Sequence, residues 1–67
     1  MIIDLKKTLD NSKRNITKAS IARHVVRTWQ TIQNYYTGAT KTPRDVNTAL
    51  IEFFEENGDE VFYKKEL

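Results

Sequence analysis

Apolar residues recur at three- and four-residue spacing along most of this chain, which defines helices with one inward face and one polar face. The first stretch, residues 3–12, aligns Ile2, Leu5 and Leu9 on one side and turns Lys6 and Lys7 to solvent. The second starts more sharply. Thr17 is placed to accept from the first free amides, and Ile16 before it can pack on Ile21, so a helix is expected over 18–25 with Ile21, Ala22 and Val25 inward and Lys18 and Arg23 outward. A tight turn at Val26 and Arg27 leads to a helix over 28–37, which Gly38 ends as a residue free to take positive φ. The longest pattern follows, with Thr42 as N-cap, Pro43 at the first helical position and Asp45 at the third. Val46, Ala49, Leu50, Phe53 and Phe54 then mark a core-facing stripe, and Asn57-Gly58 closes the element.

Beyond Gly58 the segment Glu60-Val61-Phe62-Tyr63-Lys64 is short, aromatic and β-branched, a strand pattern with no second strand to pair with. It has three open fates: adding to the equivalent strand of a partner, packing back as an irregular arm, or fraying. The reading is therefore an all-α domain of four to five helices over residues 1–58, with residues 59–67 as a tail and candidate dimerisation arm.

Composition narrows the class. A chain of 67 residues buries only about 60% of its unfolded surface, and with no cysteine it cannot be stapled by disulfides. Tight packing or oligomerisation must hold it together. The start Met-Ile-Ile-Asp runs into charges rather than an apolar signal core, and no apolar run approaches the roughly 20 residues of a membrane span, so a cytoplasmic protein off the membrane is expected. The sequon Asn15-Ile16-Thr17 is then a chance occurrence.

Charge adds a partner. Residues 1–44 carry nine Lys or Arg against two acids, whereas residues 45–67 carry two against seven, which the whole-chain value of +2 conceals. A basic section that also holds a short polar helix is the footprint of a protein on a phosphate backbone, and the acidic section is expected to stay off it. Glu52, Glu55 and Glu56 read as a solvated helix face rather than as catalytic carboxylates. His24 reads as a surface or semi-buried side chain, since a metal site needs further ligands nearby.

Two short helices separated by a tight turn and closed by a glycine follow the order of a helix-turn-helix. Through Ile21-Ala22, Val25, Ile32, Tyr35 and Gly38 the chain resembles the lambda-repressor and Cro-like family of DNA-binding domains, over about residues 5–57. The small Ala22 lets the second helix approach the first, while Ile32 and Tyr35 anchor it from beneath. Two residues depart from the family pattern: Val26 stands where glycine is usual and Arg27 where an apolar residue is usual. Val26 is expected to take over the buried role, with Arg27 pointing outward to a phosphate.

The resemblance implies that the face opposite Ile32 and Tyr35 enters the major groove and presents Thr28, Trp29, Gln30, Gln33 and Asn34 to base edges. Gln and Asn can bond both N6 and N7 of adenine, and Thr can meet a base with its hydroxyl or a thymine with its methyl. Trp29 lies at the border between core and groove, where packing at a rim or dimer contact competes with base contact. Tyr36 has a similar position, from which its hydroxyl can reach a phosphate. Candidate phosphate contacts are Thr17, Lys18, Arg23, Arg27, Thr37, Lys41 and Arg44, with Thr17 and Lys18 favoured by the free amides of a helix start.

The leading expectation is a sequence-specific regulator of double-stranded DNA, of repressor or Cro type, acting as a homodimer on a pseudo-palindromic site. The resemblance points to a phage or mobile-element source. The alternative is an antirepressor-like module that binds another regulator protein instead of DNA. Enzymatic function, a cofactor and a small-molecule substrate are not expected, because the chain has no glycine-rich phosphate loop, no nucleophile with a spaced base and no metal-ligand set.

Overall fold

The computed structural model describes residues 1–64 and contains four helices: α1 (Leu5–Asp10), α2 (Lys18–Val25), α3 (Trp29–Thr37) and α4 (Arg44–Glu56). Among the described residues the only extended pairing is one antiparallel bridge, Ile3 with Tyr63, so the fold is all-α. Its core gathers Ile3 and Leu5 from the first segment, Ile21, Ala22 and Val25 from α2, Ile32 and Tyr35 from α3, and Val46, Leu50 and Phe54 from α4. Each of the larger of these contributes about 1.5–3 kcal/mol by leaving water.

The first helix is shorter than its periodicity suggested. Asp4 is extended and caps the helix by accepting from the Lys7 amide at 3.1 Å, which leaves residue 3 outside it. There the backbone is engaged elsewhere: Ile3 N donates to Asn47 Oδ1 at 2.8 Å, and Asp4 N donates to Phe62 O at 2.8 Å. The inward face is accordingly Ile3, Leu5 and a fully buried Thr8, with Leu9 only partly covered. Thr8 is tolerated inside because its hydroxyl accepts from Phe62 N at 3.1 Å.

The start of α2 is the expected one. Thr17 Oγ1 accepts from Ser20 N at 3.1 Å while Ser20 Oγ accepts from Thr17 N at 3.2 Å, a capping box in which serine replaces the usual Glu or Gln. Its end corrects the expectation for Val26. That residue is 80% exposed and takes the left-handed conformation, φ 56° and ψ 53°, which is the backbone a glycine would supply. The α2 terminus dictates this: the amides of Val26 and Arg27 both turn back onto Ala22 O.

Thr28 is the N-cap of α3 rather than its first helical residue, and Gly38 ends the helix at φ 83°. For α4 the expected N-cap Thr42 is displaced by one position. Pro43 holds the cap site without a side-chain bond, and Thr42, extended ahead of the proline, is buried.

After Gly58 the chain packs back on itself. Asp59 is buried and accepts from Ser12 Oγ at 2.8 Å and Lys13 N at 3.1 Å, and Lys64 N donates to Ile2 O at 2.8 Å. Of the three fates open to the tail, folding onto the chain's own first segment is the one adopted through residue 64; residues 65–67 of the expected arm lie outside the described residues. This fold-back also ties the acidic section to the basic one. Asp59 anchors the 12–13 loop and Asp45 pairs with Arg27, so the charge split along the sequence does not become two separate lobes.

Candidate functional site

The outer side of α3 is a polar, uncharged face built on regular structure. Ile32 and Tyr35 fix the helix from beneath, which leaves Trp29 51% exposed, Gln30 and Thr37 exposed, and Gln33 and Asn34 half-buried. At 1.5 Å per residue the helix is about 13 Å long. It is tied to α1 as well as to α2: Tyr36 Oη donates to Asp10 Oδ1 at 2.6 Å.

The five residues assigned to base reading are brought together but are not equivalent. Thr28 Oγ1 is occupied, accepting from Thr31 N at 3.2 Å and sharing a hydrogen bond with Thr31 Oγ1 at 2.8 Å. Gln30 Nε2 donates to Asn34 Oδ1 at 3.2 Å, so these two amides form one preset pair that leaves Gln30 Oε1 and Asn34 Nδ2 outward. Gln33 is turned partly under the surface, and its Oε1 is buried with no hydrogen-bond partner among the described residues. Trp29 presents much of its ring to solvent.

The seven assigned phosphate contacts are more dispersed. Thr17 is spent in the α2 capping box. Thr37 Oγ1 donates to Asn34 O at 3.3 Å. Arg23, Lys41 and Arg44 are exposed, and their side chains make no ion pair among the described residues. Arg27 is exposed, as expected, and is engaged within the chain: its guanidinium donates to Val25 O and Val26 O and meets Asp45 Oδ2 at 3.3 Å, which links the turn to α4. Lys18 is half-buried, with Nζ 4.0 Å from the Tyr36 ring centroid and 5.8 Å from that of Trp29.

Tyr36, read as free to reach a phosphate, is instead committed to Asp10. Its hydrogen bond to that carboxylate, together with desolvation and the carboxylate's charge, raises its pKa above the ordinary 10.0. Lys6, outside the predicted site, joins this cluster: it lies 5.5 Å from the Tyr36 ring and 3.8 Å from Asp10. Only the four-residue spacing of Lys6 and Asp10 was visible beforehand; their meeting with α3 is a tertiary fact. His24 stacks on Phe53 at 4.6 Å between centroids, and no group of three or more His, Cys, Asp or Glu suited to a metal occurs among the described residues.

Chemically, the site is a short helix face of uncharged hydrogen-bonding groups, bordered by the ammonium groups of Lys6 and Lys18 and by one exposed indole. No helix among the described residues is long and apolar enough to cross a membrane. Comparison with protein-family models, curated proteins and solved structures finds no match to this chain.

Proposed function

We propose that this protein is a sequence-specific binder of double-stranded DNA, built on a lambda-repressor-like helix-turn-helix in which α2 crosses the backbone and α3 enters the major groove. The observation that carries this reading is the outer face of α3, where Trp29, Gln30 and Asn34, with Gln33 partly beneath them, bring donors and acceptors together without a net charge, beside Lys6 and Lys18. A face of that chemistry suits base edges, which present paired donors and acceptors, and adjacent ammonium groups suit the phosphates that flank them. The left-handed turn at Val26 supports it further, because the backbone retains the glycine-like corner despite the side chain. A regulator of repressor or Cro type, dimeric on an inverted repeat, follows from the small footprint of one nine-residue helix.

Selection from a pool of random duplexes, followed by titration of the enriched duplex at several salt concentrations, tests it. Binding should weaken linearly in log–log form with a slope of about −0.9 per neutralised phosphate, so about −3.6 for roughly four contacts. An enriched site with two inverted halves would support the dimer. A pool that enriches nothing and shows no salt-dependent binding would overturn the proposal and leave the protein-binding module as the reading.

A further inference from the structure

The buried, unpartnered oxygen of Gln33 belongs to a side chain on α3 that is not part of its core-facing stripe of Ile32 and Tyr35. Burying an acceptor without a donor is unfavourable, and most such groups in folded proteins find a partner. Gln33 follows Trp29 by four positions and precedes Tyr36 by three, so the three lie on one stripe of α3. Lys18 spans that stripe from α2, its ammonium 4.0 Å from the Tyr36 ring and 5.8 Å from the Trp29 ring. It has no carboxylate partner among the described residues, so the aromatic faces are what hold it there.

We propose that Lys18 is a cover over Gln33, held on the Tyr36 and Trp29 rings in the free protein and drawn off by a backbone phosphate, so that Gln33 Oε1 is freed to accept from an amino group on a base edge. The inference rests on the DNA-binding reading and deepens it. Phosphate is the stronger partner for an ammonium than two ring faces, one of them at 5.8 Å. The base-edge donors of the right chemistry are adenine N6 and cytosine N4. Backbone contact thereby precedes reading, and the orphaned acceptor of the free protein gains its missing donor only on DNA.

Two substitutions at one position separate this from an ordinary phosphate contact. Lys18→Met removes the charge but keeps an apolar chain over the rings, so nothing draws it away; Lys18→Ala removes charge and cover together. Both are titrated on an enriched duplex and on a scrambled one of equal length, with thermal unfolding as the check on folding. Lys18→Ala should weaken both duplexes by the same factor. Lys18→Met should also reduce discrimination between them by about tenfold, as should Gln33→Ala, with no further loss in the double variant. On the wild type, replacing one adenine by purine or one cytosine by 2-pyrimidinone should reproduce that loss at a single position, and Gln33→Ala should be blind to it. If both Lys18 variants leave the discrimination ratio unchanged, Lys18 only neutralises phosphate and the cover is wrong, while the DNA reading stands. If no duplex can be enriched, both fall.

Discussion

Replacing Val26 with glycine should make the protein more stable, although it deletes a hydrophobic side chain. Val26 is a β-branched residue at φ 56°, ψ 53°, a conformation in which Cβ crowds the following carbonyl; such strain costs on the order of 1–3 kcal/mol, taken here as about 2. Glycine removes it at an entropic cost of about 0.5–1 kcal/mol. With the side chain 80% exposed, the lost burial is about one-fifth of the value for a covered aliphatic residue, roughly 0.3–0.6 kcal/mol. The balance is a gain of about 0.5–1 kcal/mol, or a Tm higher by about 3–6 °C for a domain of this size. Val26→Ala serves as the control, since it keeps a Cβ in the left-handed region and should stay within about 0.5 kcal/mol of wild type. Thermal and urea unfolding of the three proteins decide the matter. A glycine variant no more stable than the alanine variant would show that the corner is not under strain.

Other outcomes follow from the same geometry. Gln30→Ala and Asn34→Ala should each reduce discrimination between enriched and scrambled duplexes by about 1–3 kcal/mol, and the double variant should lose less than the sum, because the two amides are bonded to each other. Arg44→Ala should weaken both duplexes alike and reduce the salt slope by about 0.9, read from the same titrations. Thr8→Val, which strips the hydroxyl that Phe62 N uses, should cost about 1–3 kcal/mol in urea unfolding and speed amide exchange at Phe62. The raised pKa of Tyr36 gives its bond to Asp10 a defined pH window: the contribution is fully present below about pH 10 and is lost as pH rises through the higher folded value. Asp10→Asn should return Tyr36 ionisation toward 10.0, followed by ultraviolet absorbance against a Tyr36→Phe reference.

The sequence carried the helices because their signals are local. The Thr17 cap, the Gly38 stop and the stripes through Ile21, Ile32 and Leu50 depend on neighbours within one or two turns, and each reappears in place. What sequence could not carry was set by residues far apart in the chain. Thr8 is buried because Phe62 bonds it, and residue 3 stays extended because Asn47 and the tail hold the backbone around it. At the candidate site, the exposed side of α3 was legible from the spacing of Ile32 and Tyr35. The pairing of Arg27 with Asp45, the engagement of Tyr36 by Asp10 and the position of Lys18 were not, because each joins two elements whose approach no periodicity encodes. Val26 was misjudged for a related reason: hydropathy favoured burial, but the α2 terminus fixed its backbone first.

The bridge between Ile3 and Tyr63 acts as a seam that joins the opening of the chain to its close. Drawing together positions about 60 apart carries a closure entropy of roughly 3–4 kcal/mol by chain statistics, whereas the corner between α2 and α3 encloses almost no loop. The seam should therefore close late in folding, which amide exchange at Asp4 and Lys64 would check. The seam's neighbour Phe62 also holds Thr8 of α1, and α1 in turn holds α3 through Asp10, so an unzipped end would leave α3 with one buttress fewer.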